Sequence, residues 1–316
     1  MEHLSIRASR RYGALSPLRY PGGKAALAGL FADVITDLGL TSPIYVEPYA
    51  GGAGAGVALL RQGLVEQLVI NDFDPAVYAF WRSVTHHNDQ LVECVRSVPL
   101  TVEEWKRQRE IYRGGDAGDT LTLGFAFFYL NRTNRSGVLR GGVIGGLAQD
   151  GTYKIDARFN RETLAERLLA LGELADRITV TDVDGRTVIR NYAHNRSAFM
   201  YVDPPYVRAG SQLYLNSFDV RDHEALARII DEVDGAHWLM TYDVAPLIAR
   251  LYAHHFRSRY ELNYSARHPG FTDELMIASP AVAESLLKRS RAAQAAGEET
   301  ARAVPAPATR LEPVAR

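Results

Sequence analysis

Three short apolar runs, at residues 44–46, 68–70 and 199–202, each stop at a polar side chain: Glu47, Asn71 followed by Asp72, and Asp203. Runs of this length bounded by turn chemistry predict buried strands. Residues 178–181, 238–241 and 274–277 are further strand candidates, while 25–38, 76–85 and 223–232 carry apolar residues at the 3.6-residue spacing of helices packed on a sheet. The alternation predicts a doubly wound α/β domain. Open parallel sheets bind ligands outside the carboxyl ends of their strands, so the acidic residues stand where a site is expected.

The chain has 316 residues, 47% of them hydrophobic, enough for one large domain or one domain with an insertion. Residues 89–172 interrupt the alternation with helical patterns at 103–112 and 120–130 and then a Gly- and Arg-rich stretch. A net charge of -1 carries no chain-wide nucleic-acid signal, but residues 131–161 hold six basic side chains (Arg132, Arg135, Arg140, Lys154, Arg158, Arg161) against Asp150 and Asp156. That clustering suits a solvated loop or a DNA-facing surface. Cys94, the single cysteine, excludes an internal disulfide and a multi-cysteine zinc site, fits a reducing cytosol, and is expected simply to pack. With no apolar run near the roughly 20 residues of a membrane span, a cytoplasmic protein is expected. From residue 291 the chain turns to Ala, Pro, Glu and Arg without periodicity, which predicts a disordered tail.

The turn Glu47-Pro48-Tyr49-Ala50-Gly51-Gly52-Ala53-Gly54 follows one strand and leads into a helix predicted over 57–61. Its glycines permit positive φ and close approach of a ligand to the backbone. Asp72 comes 18 residues after Gly54, near the offset at which a carboxylate meets ribose hydroxyls in dinucleotide-binding folds. The turn and Asp72 together point to a nucleoside-containing ligand, and since no Walker-type lysine follows the turn a phosphate-free one is open. Asp182 and Asp184 follow a third strand; Asp184 suits an adenine amino group or a helix cap equally. Asp203-Pro204-Pro205-Tyr206 ends the 199–202 strand, and two consecutive prolines stiffen that turn and hold the aspartate in place.

These motifs together resemble the Dam-like, D12-class DNA adenine amino-methyltransferases. Arg19-Tyr20-Pro21-Gly22-Gly23-Lys24 resembles that family's N-terminal cofactor motif, Glu47 to Gly52 its Gly-rich motif, Asp72-Phe73-Asp74 its ribose motif and Asp203 to Tyr206 its catalytic motif. The stretch from Phe128 to Gly137, continued by Arg140-Gly141-Gly142 and Arg158-Phe159-Asn160, looks like the start of its target-recognition region. The likeness runs collinearly from about Ser16 to Leu287. Tyr49 stands where the family usually has Phe, and Tyr20 where some members have Trp; both keep an aromatic face for the cofactor.

The resemblance implies a Rossmann-like methyltransferase fold, with residues 14–88 and 173–288 as the catalytic domain, 89–172 as a mainly helical and loop target-recognition insertion, and 289–316 as the tail. It implies transfer of a methyl group from S-adenosylmethionine to the N6 amine of an adenine flipped out of double-stranded DNA, by a monomer that needs neither metal nor membrane. Asp203, Pro204, Pro205 and Tyr206 are then the catalytic residues, with Asp203 and the Pro204 carbonyl accepting hydrogen bonds from the two amine protons and Tyr206 stacking on the base. Tyr20, Lys24, Glu47, Tyr49, Gly51, Asp72, Asp184 and Asp203 are the expected cofactor contacts. Arg19, Asn131, Arg132, Asn134, Arg135 and Arg140 are the expected DNA contacts, by phosphate or by base edge. Related tetrapeptides serve RNA adenine and the cytosine amine, and a binding-only protein can keep the fold; collinearity and the intact Asp72, Asp203 and Tyr206 favour the adenine enzyme. His86, His87, His194, His254 and His255 show no metal-ligand spacing.

Overall fold

The computed structural model describes residues 3–4, 12, 15–19, 24–207, 218–260 and 274–303, the backbone alone for 3–4 and 293–303. Tyr20 to Gly23 therefore lie outside the described residues. Among those described, eight strands form one sheet: β1 (His3–Leu4), β2 (Ile44–Glu47), β3 (Gln67–Asn71), β4 (Ile178–Thr181), β5 (Ala198–Val202), β6 (His237–Asp243), β7 (Phe256–Tyr260) and β8 (Glu274–Ala278), in the order β1-β7-β8-β6-β5-β2-β3-β4. Neighbours are parallel except for β8, which runs antiparallel to β6 and β7. From β2 the chain goes outward to β3 and β4 and returns to the other side of β2 with β5. This places the switch point of a Rossmann-like sheet between β2 and β5.

Side chains alternate between two cores, as the two-residue strand period requires. Tyr45, Leu68, Ile70, Phe199 and Tyr201 face one apolar cluster with α1 (Ala28–Asp37), α2 (Gly54–Arg61) and α3 (Pro75–His86). Val46, Val69, Met200, Val202 and Met240 face the other, with α8 (Gly185–Tyr192), α9 (Val220–Asp231) and α10 (Pro246–Leu251). The continuous apolar runs that announced the strands follow from burial on both faces.

Between α3 and β4 come α4 (Asn88–Ser97), α5 (Val102–Gly114), α6 (Thr120–Thr133) and α7 (Arg161–Gly172), with a loop between α6 and α7. This segment shares the first core rather than having its own: Leu91, Trp105, Phe127, Phe128 and Leu168 belong to the cluster that holds Phe80 and Trp81. Phe128 stacks on Phe80 at 5.5 Å. A Cβ on Gly124 would lie 2.6 Å from the Ala79 carbonyl oxygen, so α6 crosses α3 at a distance only glycine permits.

Two expectations change. The helix α11 (Pro280–Ala303) continues past residue 291, where composition predicted disorder; its Ala-, Glu- and Arg-rich sequence has high helix propensity and meets no proline until Pro305. Residues 304–316 lie outside those described. In addition β7, reading Phe-Arg-Ser-Arg-Tyr, is a strand that its charged residues concealed.

Candidate active site

The parallel strands bring Glu47, Asp72, Asp203 and Asp243 to one edge of the sheet. Because β8 runs the other way, its first residue reaches the same edge: Glu274 pairs in register with Asp243 on one side and Tyr260 on the other. Lys24 opens a 3-10 turn (Lys24–Leu27) and is buried, so it is no surface lysine. Its Nζ lies 3.3 Å from Glu274 Oε2, 3.7 Å from Asp203 Oδ2 and 3.0 Å from the Tyr206 hydroxyl.

The two oxygens of Asp203 have different surroundings. Oδ1 accepts from Thr241 Oγ1 at 2.6 Å and from the Tyr206 hydroxyl at 3.0 Å. Since Thr241 spends its proton there, the Tyr201 hydroxyl at 2.7 Å must donate to Thr241, which makes a buried relay from β5 through β6. Oδ2 faces Lys24 and is the oxygen with capacity to spare. The Tyr206 hydroxyl proton has a second acceptor in Glu274 Oε2 at 3.3 Å, and Tyr260 donates to the same oxygen. Burial first, then the charges of Asp203 and Glu274, hold the Tyr206 phenol well above its ordinary range, so it remains a donor. Asp243 accepts the Val207 N–H at 3.1 Å and fixes the chain as it leaves the two prolines.

Beside this cluster the glycine turn is pinned from several directions. Asp72 Oδ2 accepts the Gly51 N–H at 2.8 Å, Trp81 Nε1 donates to the Gly51 carbonyl at 2.9 Å, and Ser16 donates to the Gly52 carbonyl at 2.6 Å. Gly51 has φ +48°. A Cβ on Gly54 would lie 3.0 Å from Ala25 Cβ, so close packing there ties α2 to the turn that carries Lys24. Glu47 Oε1 accepts the Gly56 N–H at 2.9 Å, and burial pushes its carboxyl up to about 8. Glu47 thus holds the first turn of α2 as a neutral acid near pH 7. Burial likewise raises Asp72 to about 6.

Across the β3–β4 pair, the Asn71 amide bonds Pro48, Thr181 and Val183 and locks three loops together. Phe73 and Val183, each two residues beyond the paired Asn71 and Thr181, are exposed. An exposed aromatic ring beside a half-buried carboxylate and a glycine cradle suits a nucleoside, and the residues present fit the cofactor implied by the sequence.

A family model describing D12 class N6 adenine-specific DNA methyltransferases matches residues 20–265. The chain belongs to this family. No curated protein is similar enough to count as a relative. Among solved structures, two of the rRNA methyltransferase aviRa from Streptomyces viridochromogenes are similar, each at 15% identity. One has a TM-score of 0.36 and covers 86% of this chain and 92% of that one; the other has 0.35, with 85% and 89%.

In this DNA adenine methyltransferase two expected cofactor contacts are engaged elsewhere. Asp184 caps α8 through the Arg186 N–H at 2.8 Å and pairs with the Arg186 guanidinium, which holds its carboxyl below the usual range. The Tyr49 ring packs on α8, where a Gly185 Cβ would lie 2.5 Å from it, and meets Phe218 edge-on at 5.8 Å. Of the expected DNA contacts, Asn131 and Asn134 are buried with their amides committed. Asn131 bonds both the N–H and the carbonyl of Arg19, at 2.8 and 2.7 Å; Asn134 accepts from Trp105 and donates to the Val138 and Leu139 carbonyls. Both amides are turned toward the protein and brace the backbone on either side of Arg132.

Arg135 and Arg140 are exposed. Arg19 Nη1 and Arg132 Nε are buried without hydrogen-bond partners. Burial, then repulsion from Arg19, Arg167 and Arg158, brings the Arg132 guanidinium down to about 10. Sequence reasoning missed Glu274, Thr241 and Arg167. A glutamate opening the otherwise apolar strand Glu-Leu-Met-Ile-Ala was the available signal for the first; nothing local marks the other two.

Proposed function

We propose that this DNA adenine methyltransferase takes its methyl group from S-adenosylmethionine and acts on an adenine turned out of double-stranded DNA into the Asp203 cluster. The observation that carries the reading is the asymmetry of Asp203: one oxygen saturated by Thr241 and Tyr206, the other turned to Lys24. S-adenosylmethionine, when bound, supplies an electrophilic sulfonium methyl. Asp72, the Gly51 turn and the exposed faces of Phe73 and Val183 would hold its nucleoside, since a carboxylate accepts from vicinal hydroxyls and an apolar face covers a heterocycle. Lys24 would neutralise Asp203 and Glu274 at the border of that site.

An adenine amine is a weak nucleophile because its lone pair is delocalised into the ring. Asp203 Oδ2 and the Pro204 carbonyl would accept hydrogen bonds from its two N–H groups, localising that lone pair for attack on the methyl carbon, and Thr241 and Lys24 fix the carboxylate so that no reorganisation is needed. As the nitrogen–carbon bond forms, the carbon–sulfur bond would break with its electron pair staying on the departing thioether, and the methylated amine would lose one proton to solvent by way of Asp203. The Tyr206 ring offers the stacking surface, worth roughly 1–3 kcal/mol against the few kcal/mol spent in extruding the base. Arg19 and Arg132 stand in a crowd of like charge whose repulsion a DNA phosphate would relieve, and Arg135 and Arg140 would reach the duplex from exposed positions. The enzyme acts as a cytoplasmic monomer; among the described residues no helix is long and apolar enough to cross a membrane.

Tritium transfer from labelled S-adenosylmethionine, offered DNA, RNA and protein in parallel, tests the reading. Label is expected in duplex DNA at N6 of adenine. A folded, cofactor-bound protein that labels RNA alone would overturn it.

A further inference from the structure

At the opposite edge of the sheet, by the amino ends of β6 and β7, a second cluster converges. Asp231, the last residue of α9, accepts at a single oxygen, Oδ1, from His254 Nε2 at 2.8 Å and His255 Nε2 at 2.7 Å. These three ligand-type atoms lie within 4.8 Å of one another. The sequence conceals the set, because the carboxylate comes from a helix far upstream of the histidine pair. The turn between α10 and β7 brings them together.

We propose that Asp231, His254 and His255 form a binding site for a first-row divalent ion of the zinc or nickel class, with solvent completing its coordination. Imidazole nitrogen with one carboxylate suits these ions, which sit about 2.0–2.2 Å from such ligands. Octahedral or tetrahedral angles at that radius put ligand atoms about 3.0–3.4 Å apart, so each imidazole nitrogen has to draw back from Asp231 Oδ1 by roughly 0.2–0.7 Å. Each imidazole presents Nε2; on binding, that nitrogen gives its lone pair to the metal and the ring proton is carried on Nδ1. His255 is the fixed ligand, its side chain 16% exposed and edge-on to Trp238 at 5.1 Å. His254 at 59% and Asp231 at 42% have the freedom to adjust. β6 spans seven residues, so the site lies about 20 Å from Asp243 and the catalytic edge. Its role is to tie the end of α9 to the start of β7, and methyl transfer does not pass through it.

The test uses the full untagged chain, freed of metal by chelation, titrated calorimetrically with zinc chloride and with nickel chloride. One equivalent should bind with a Kd of about micromolar, weaker than closed four-ligand sites. At a hundredfold excess over Kd the thermal midpoint should rise by about 5 °C. Nickel should also quench the fluorescence of Trp238. His254→Ala and Asp231→Asn should each lower affinity at least tenfold, the second keeping a hydrogen-bond acceptor in place, whereas His194→Ala, at the separate Asp234 pair, should leave binding intact. Absence of saturable binding at one equivalent, or affinity unchanged in His254→Ala, overturns the proposal.

Discussion

Replacing Glu274 by Gln separates the charge at the back of the active site from its shape. Lys24 Nζ lies 3.3 Å from Glu274 Oε2 and 3.7 Å from Asp203 Oδ2. At an effective dielectric of about 20 the two attractions are roughly 5 and 4.5 kcal/mol, nearly balanced, so the ammonium is shared. Glutamine removes one of them and leaves the other. Lys24 then moves onto Asp203 Oδ2, the oxygen assigned to the substrate amine. A charge-assisted hydrogen bond of about 1.5–3 kcal/mol is lost in the transition state, which is a fall in kcat of about 10- to 100-fold. Because Glu274 touches no DNA in this scheme, KM for DNA should stay within about threefold. Unfolding stability should drop by about 1–3 kcal/mol, less than for a fully orphaned buried charge, since Lys24 keeps Asp203. Single-turnover methyl transfer and urea unfolding measure the two effects, and a double-mutant cycle with Lys24→Met should show coupling between the sites. A kcat within twofold of wild type and an unchanged unfolding midpoint would refute the shared-ammonium argument.

Asp203→Ala should abolish methylation while duplex DNA still binds with a steep salt dependence, by filter binding or anisotropy; surviving activity would exclude the proposed amine acceptor. Glu47→Gln should change the pH profile of stability. A folded carboxyl raised from 4.5 to about 8 confers no penalty below pH 4.5 and a growing one as pH rises toward 8, with a ceiling of about 5 kcal/mol, so the variant should gain on wild type between pH 5 and 8 in urea unfolding. Gly56→Ala puts a Cβ 2.5 Å from Leu68 Cδ1 and 3.0 Å from Glu47 Oε1, and should cost about 1–3 kcal/mol of stability and weaken cofactor affinity in calorimetry. Arg132→Ala should lower the slope of log affinity for DNA against log salt by about one, with little change in cofactor affinity.

The carboxyl-edge residues were legible because a buried strand that stops at an acid is a local pattern: β2, β3 and β5 and their terminal Glu47, Asp72 and Asp203 all fall where the apolar runs place them. Glu274 was not, since only the antiparallel direction of β8 turns a strand's first residue into an active-site group, and direction is a property of the whole sheet. The inward turn of the asparagines was hidden for a related reason. Asn131 and Asn134 have the chemistry to read adenine, yet with exposures of only 1% and 0% that chemistry is turned inward to the backbone. Burial of a helix-terminal polar residue depends on which helix covers it, here α5 through Trp105.

The shared core of α3 and α6 has a consequence for how this enzyme can diversify. The loop that would choose the DNA sequence, between α6 and α7, is anchored at both ends in the aromatic packing that supports the cofactor edge, with Phe80 under the one and Trp81 bonded to Gly51 of the other. On the proposed reading, new specificities would be reached by rewriting exposed positions after Asn134 such as Arg140, Leu147 and Tyr153, whereas exchanging the whole helical segment between relatives would remove Phe127 and Phe128 from the core they share with α3. Swaps within residues 138–154 that keep the buried Val143 should leave an enzyme that folds and methylates a different sequence.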